Sequence, residues 1–85
     1  MDGNGMIMVL KNESVSFQEN LEGYLSLFSW GERAEGVTIK GMKYPLQDYV
    51  MTNDFPIGIS NEFIGEKAEI SVRNGELACI LNFLN

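Results

Sequence analysis

The sequence predicts an all-β fold of about eight short antiparallel strands, arranged as a β-sandwich, a jelly roll or a barrel. Short runs alternate between apolar and polar residues, the period-2 pattern of half-buried strands. Turn-forming residues punctuate the chain about every 8–12 positions, the spacing typical of sandwiches and jelly rolls. No amphipathic run is long enough for a helix of more than about two turns. These three observations exclude the α/β and all-α classes.

The first two candidate strands lie close together. Residues 6–10 form a short apolar run, which is typical of a buried strand, and residues 14–18 alternate cleanly. Residues 11–13 are turn formers between them. We therefore expect the two strands to form a hairpin.

The third run, residues 24–30, is rich in strand-forming residues and has apolar side chains on both faces. Alternation places Leu25 and Leu27 on one face and Tyr24, Phe28 and Trp30 on the other. A strand that is apolar on both faces should be central or covered by a partner. Residues 31–36 then predict a solvated turn, and residues 36–40 a further alternating strand.

The middle of the chain contains backbone-restricting residues. Gly41 interrupts a strand, as a bulge or a close-approach glycine would. Tyr44-Pro45 predicts an extended or turn geometry, because proline removes a donor and restricts its predecessor. Residues 48–52 form a short strand, Asn53-Asp54 predicts a turn, and Phe55-Pro56 predicts an extended segment.

The last third begins with residues 58–62, a small polar segment that we expect to form a turn. Residues 68–73 alternate cleanly and residues 77–81 form an apolar return strand. Asn74-Gly75 between them is the strongest short-range hairpin signal. We therefore expect residues 70–72 to pair with residues 77–79.

Composition restricts the possible functions. The chain has 85 residues, so we expect a single domain over residues 1–85, and its net charge of −6 argues against nucleic-acid partners. Histidine is absent and Cys79 is the only cysteine, which excludes Ser-His and Cys-His catalysis within the chain and argues against a metal site. Cys79 lies in an apolar run, as a buried thiol in a reducing compartment would. No run is long and apolar enough to span a membrane, so we expect a cytoplasmic protein.

Ser60 and Asn61 are the strongest candidates for a binding surface. They offer a hydroxyl and a carboxamide, and Asn61 can make paired hydrogen bonds to a heteroaromatic edge. Both residue types also bond their own backbone readily, so the alternative is that they only cap a turn. Local chemistry alone favours the turn.

Two longer motifs change this balance. The first motif spans residues 37–46 and contains the string Lys40-Gly41-Met42-Lys43-Tyr44-Pro45-Leu46. The second spans residues 57–63 and contains the string Gly58-Ile59-Ser60-Asn61-Glu62. Both are similar to motifs of the C-terminal thiamine-binding domain of thiamine pyrophosphokinase. Their order and separation also resemble those of the family. Residues 24–29 and 68–81 look like flanking strands of that domain, so the resemblance covers nearly the whole chain.

The resemblance implies a jelly-roll-like domain of an enzyme that transfers pyrophosphate from ATP to thiamine, giving thiamine diphosphate and AMP. In such an enzyme an N-terminal α/β catalytic domain holds Mg²⁺ and ATP, and thiamine lies at the interface of a homodimer. On this chain the Ser-Asn pair of the thiamine pocket falls on Ser60 and Asn61, and Ile59 and Phe63 would form an apolar wall. We expect no catalytic residue, metal or cofactor within residues 1–85, and therefore no activity from this chain alone.

Two points depart from the family pattern. The catalytic domain is absent from these 85 residues. Residues 77–80 contain no aromatic, where some family members place one over the thiamine ring. Trp30 is a candidate substitute, and a core or interface position is the alternative for it. A second function stays open, a small β-sandwich interaction module with no small-molecule substrate.

Overall fold

The computed structural model describes residues 4–52 and 59–84, apart from the side chains of Asn4 and Ile59. The described residues form eight β-strands and no helix. The strands are β1 (Asn4–Lys11), β2 (Ser14–Phe17), β3 (Gly23–Ser29), β4 (Arg33–Lys40), β5 (Leu46–Thr52), β6 (Ile59–Glu62), β7 (Ala68–Ser71) and β8 (Glu76–Phe83). The predicted all-β class is confirmed. The turn expected at Asn53-Asp54 and the extended segment at Phe55-Pro56 lie outside the described residues.

The strands form two four-stranded antiparallel sheets. Sheet A has the order β1-β8-β3-β6, and sheet B has the order β2-β7-β4-β5. Every connection except that between β4 and β5 passes from one sheet to the other, which is the jelly-roll arrangement. Strand β3 lies between β8 and β6, as expected for a run that is apolar on both faces.

The inner faces of the two sheets supply the core. Alternate residues of β3 and β8 point inward from sheet A, and those of β4 and β7 point inward from sheet B. The largest fully buried side chains are Leu25, Leu27, Val37, Ile39, Ile70, Leu77, Cys79 and Leu81. Cys79 is thus a buried small apolar residue, as predicted.

Both predicted hairpins are wrong. Strand β1 pairs with β8 and β2 pairs with β7, so residues 11–13 join different sheets. Strand β7 likewise lies in sheet B and β8 in sheet A, so Asn74-Gly75 also crosses between the sheets. The apolar residues of β7 and β8 meet face to face across the core instead of edge to edge. Their alternating pattern fits either arrangement, because it specifies the buried face and leaves the neighbouring strand open.

The two crossing turns hydrogen-bond to each other. The Asn12 amide donates to the Gly75 carbonyl at 3.1 Å, and the Gly75 amide donates to Asn12 Oδ1 at 2.8 Å. Gly75 has a φ of 115°, and a Cβ there would lie 2.5 Å from the Arg33 carbonyl oxygen. Glycine is therefore required at position 75 by the close approach of the Arg33 backbone at the start of β4, and not by a two-residue hairpin.

Two strands begin earlier than expected, and one predicted turn is a strand. Strand β4 starts at Arg33, inside the predicted solvated turn, and its pairing with β5 shifts register between Ala34 and Val37. This bulge lets Ala34 and Val37 both face the core, which breaks the period-2 pattern. Strand β5 starts at Leu46. Of the segment 58–62, residues 59–62 form strand β6, and Gly58 lies outside the described residues.

The outer faces of the two sheets differ in chemistry. On the outer face of sheet A, Ile7, Ile80 and Ser26 lie side by side across three strands. The two isoleucines make this face partly apolar, and Ile7 is 72% exposed. Sheet B presents rows of polar residues, namely Ser14, Ser16, Thr38, Lys40, Glu69 and Ser71. Trp30 is exposed, so the core alternative for it is wrong. Within the described part of the chain, no helix is long and apolar enough to cross a membrane.

Candidate functional site

The fold brings the two motif segments side by side. The connection between β4 and β5 leaves sheet B, runs along the free edge of β6 in sheet A, and returns to sheet B. Met42 forms an antiparallel bridge with Phe63, and the Lys43 amide donates to the Glu62 carbonyl at 3.0 Å. Gly41 begins this crossing with a φ of 76°, and a Cβ there would clash with the Lys67 carbonyl. The predicted close-approach role of Gly41 is confirmed.

Asn61 is buried, and its carboxamide bonds to the backbone. Its Oδ1 accepts from the Tyr44 amide and from the Glu62 amide, each at 2.9 Å, and its Nδ2 donates to the Tyr44 carbonyl at 2.7 Å. A buried amide needs such partners, since an unsatisfied one would destabilise the fold. The Tyr44 peptide group lies 17 positions away in sequence, so Asn61 joins two distant segments and does more than cap its own turn.

Ser60 points the opposite way. It pairs with Ser26, whereas Asn61 pairs with the fully buried Leu25. Neighbouring residues of a strand face opposite sides of the sheet, so Ser60 lies on the outer face of sheet A and is exposed. The structure therefore does not bring the Ser60 and Asn61 side chains onto one surface. Of the two, only the Ser60 hydroxyl is open to solvent.

The predicted apolar wall is described in part. The Phe63 side chain is only 5% exposed, and its ring contacts Phe17 edge-on at 5.5 Å and stacks on Phe83 at 5.8 Å between centroids. It therefore belongs mainly to the core. The Ile59 backbone pairs with Leu27, but the Ile59 side chain lies outside the described residues.

A surface cleft of about 450 Å³ lies beside the part of the outer face of sheet A that carries Ser60, which we call the Ser60 face. Its size falls within the range of small-molecule sites, about 300–1,000 Å³. It is lined by Asn20, Leu21, Glu22, Gly23, Tyr24, Glu62, Phe63, Ile64, Gly65 and Leu84. Tyr24 and Glu62 form a cross-strand pair in the row next to Ser60, so they connect the cleft with the Ser60 face.

Sequence reasoning missed Tyr24 and Glu62 as site residues. The period-2 rule provides a signal for Glu62, because a residue two positions from Ser60 must share its face. No sequence signal places Tyr24 there, since its strand partner comes from a segment more than thirty positions later.

The site combines negative charge with aromatic surface. The Lys43 Nζ lies 3.7 Å from Glu62 Oε1 and 5.5 Å from the centroid of the Tyr44 ring. A carboxylate and an aromatic face are the two groups that attract an organic cation. The lysine ammonium therefore partly neutralises Glu62, and a cationic ligand would have to displace this exposed and weak ion pair. Within the described residues, no cluster of side chains could hold a metal ion.

A second, shallower pocket of about 640 Å³ lies on sheet B, at the β4–β5 connection. It includes Pro45 and Leu46 from the first motif, together with Thr38, Ile39, Lys40, Gln47 and Asp48. Ser60 and Glu62 of the second motif do not line it. Neither pocket is lined by both motifs, because no residue of 37–46 lines the cleft beside Tyr24 and Glu62.

The fold defines a jelly-roll domain in which the two motif segments meet at the edge of sheet A, near an open cleft. Residues 11–77 match the family described as thiamin pyrophosphokinase, vitamin B1 binding domain. The chain belongs to this family, as the two motifs predict.

Solved structures show the same relationship. Thiamine pyrophosphokinase from Bacillus subtilis is 25% identical, with a TM-score of 0.79 over 92% of this chain and 37% of its own. A thiamin pyrophosphokinase family protein from Enterococcus faecalis is 25% identical, with a TM-score of 0.72 over 95% of this chain and 38% of its own. Thiamin pyrophosphokinase from Geobacillus thermodenitrificans, at 24% identity and a TM-score of 0.82, shares the fold over 92% of this chain and 37% of its own. The chain thus spans 37–38% of the length of these relatives. A comparison with curated proteins found no significant match.

Proposed function

We propose that this chain is the thiamine-binding and dimerisation part of a thiamine pyrophosphokinase. The complete enzyme would transfer pyrophosphate from ATP to the hydroxyl of thiamine, giving thiamine diphosphate and AMP. The match of residues 11–77 to the vitamin B1 binding domain is the observation that carries the proposal. ATP, Mg²⁺ and the catalytic groups would belong to an α/β domain that these 85 residues do not include.

The residues at the site suit thiamine, a cation with two aromatic rings. The Ser60 hydroxyl can hydrogen-bond a ring nitrogen or amino group, and the Glu62 carboxylate and the Tyr24 ring can receive the positive charge. Asn61 has one N–H left after its three backbone bonds, so it would line the site mainly through the segment that it holds. Phe63 and Ile59 remain the proposed apolar wall. The domain would fix the acceptor hydroxyl, since phosphoryl transfer depends mainly on positioning and charge stabilisation.

We propose a homodimer in the cytoplasm, as the family resemblance implies. The exposed apolar side chains of Ile7, Val9 and Ile80 on sheet A support an interface there. The single buried thiol supports a reducing compartment. The same apolar face favours the rival function, an interaction module without a small-molecule substrate, so thiamine binding itself must be measured.

The test is a titration of the ¹⁵N-labelled chain with thiamine, followed by two-dimensional NMR, which detects binding even at millimolar dissociation constants. We expect shifts at Ser60, Glu62 and Tyr24. Ser60→Ala should weaken binding about fivefold, because it removes one hydrogen bond of about 1 kcal/mol. Ser16→Ala is the matched control, an exposed serine on the outer face of sheet B.

No shifts at millimolar thiamine, or equal effects of the two serine variants, would contradict the proposed site and favour the interaction module. An assay with ATP, Mg²⁺ and thiamine should give no turnover with the 85-residue chain. Turnover would show that catalytic groups lie within it.

A further inference from the structure

The position of Asn61 in the sheet carries an inference about how the site is built. Met42 and Phe63 form an antiparallel bridge. Tyr44, two residues after Met42, therefore lies opposite Asn61, two residues before Phe63. At this point the Asn61 carboxamide bonds both the N–H and the C=O of Tyr44. One side chain thus takes the place of the peptide group that a neighbouring strand would supply.

We propose that Asn61 is a positioning residue of the thiamine site. Its carboxamide fixes the Tyr44 peptide and so holds the Lys43–Tyr44 segment along β6, at the edge of the sheet face that carries Ser60 and Glu62. This inference rests on the proposed function, because it assigns Asn61 a role toward the ligand that acts through another segment.

The hydrogen-bond chemistry of this position is demanding. The side chain must accept from two amides and donate to one carbonyl from a buried strand position. Asparagine has both groups at the required reach, whereas aspartate cannot donate and leucine can do neither. The requirement explains why an asparagine lies opposite the fully buried Leu25, where the strand pattern calls for an apolar residue.

The hydrogen bonds between the Asn61 carboxamide and the Tyr44 peptide, here called the Asn61 clamp, also affect the Lys43–Glu62 ion pair. Lys43 is the residue before Tyr44, and its ammonium lies 3.7 Å from Glu62 Oε1. The Lys43 backbone is held to β6 by its own bond to the Glu62 carbonyl. With Asn61 removed, the described contacts of the segment with β6 would be this bond, the Met42–Phe63 bridge and the exposed Lys43–Glu62 ion pair, and none of them holds the Tyr44 peptide.

The experiment measures amide hydrogen exchange and thiamine affinity on the same samples of the 85-residue chain. Asn61→Leu keeps the number and branching of the side-chain heavy atoms and suits the buried position beside Leu25, so it should fold while losing all three bonds. We expect the Tyr44 amide to exchange at least tenfold faster, with the Cys79 amide in β8 unchanged, and thiamine affinity to fall at least fivefold. Asn61→Ala should give the same pattern, and Ser60→Ala should weaken binding without changing exchange at Tyr44.

If the Tyr44 amide exchanged at the same rate in Asn61→Leu as in the wild type, the proposal that Asn61 holds the Tyr44 peptide would be wrong. Faster exchange at Tyr44 with unchanged thiamine affinity would overturn the positioning role and leave the proposed function intact. A wild-type chain that binds no thiamine would overturn the proposed function, and with it this role.

Discussion

At the scale of single residues, two side chains of sheet A show what burial does to polar chemistry. The Asn61 carboxamide can be buried because backbone groups satisfy its hydrogen-bonding capacity. Cys79 is fully buried among apolar side chains, and burial raises the pKa of its thiol from 9.0 to about 11. The first group joins two segments of the chain, and the second is held in its neutral form.

The Cys79 thiol should make stability depend on alkaline pH. The folded state keeps the proton to a higher pH than the unfolded state, so the stabilisation is complete below pH 9 and is lost as pH rises toward about 11. Two pKa units correspond to about 2–3 kcal/mol. We expect urea denaturation to show the wild type losing about this much relative to Cys79→Ala between pH 8 and pH 11.

The Cys79→Ala variant controls for the lysines and tyrosines that titrate in the same window. Parallel stability curves for the two proteins would show that the thiol titrates alike in the folded and unfolded states.

At the scale of elements, the connections between strands decide the shape of the site. The β4–β5 connection runs along β6 only because Gly41 adopts a positive φ and packs against the Lys67 backbone. The sequence indicated an interruption at Gly41, and the structure shows that it directs the first motif to the edge of sheet A.

Gly41→Ala should therefore destabilise the domain by about 2 kcal/mol or more, because a left-handed conformation and a backbone clash are imposed together. Thermal denaturation followed by circular dichroism measures the effect. Gly31→Ala is the matched control, since a Cβ at Gly31 meets nothing within 4 Å and should change stability by less than about 0.5 kcal/mol. Equal melting temperatures for the two variants would contradict the close approach.

At the scale of the whole molecule, the asymmetry between the two outer faces is the dominant feature. Ile7, at 72% exposure, lies on the free edge strand β1 beside the exposed Val9 and, across the strand, Ile80. An apolar face on an edge strand favours association with another protein surface. In sheet B, strands β2, β7 and β4 present polar rows, and exposed apolar side chains occur on β5, at Tyr49 and Val50.

We expect the wild-type chain to self-associate at high concentration through this face. Ile7→Glu should shift it toward the monomer, because a charge would be buried in the interface. Ser14→Glu adds the same charge on β2, an edge strand of sheet B, and should leave the association unchanged. Light scattering across a concentration series measures both, and a strictly monomeric wild type would rule the interface out.

The sequence by itself determined which residues are buried, where most strands lie and, through two motifs, the family of the chain. Alternation within each strand specified the buried face, because burial acts on side chains. The tertiary structure decided which strands pair, because strand pairing uses backbone groups that nearly all residues share, and this is why both hairpins were wrong. It also decided that Ser60 faces solvent while Asn61 holds Tyr44. That outcome depends on a peptide group 17 positions away, which no local pattern encodes.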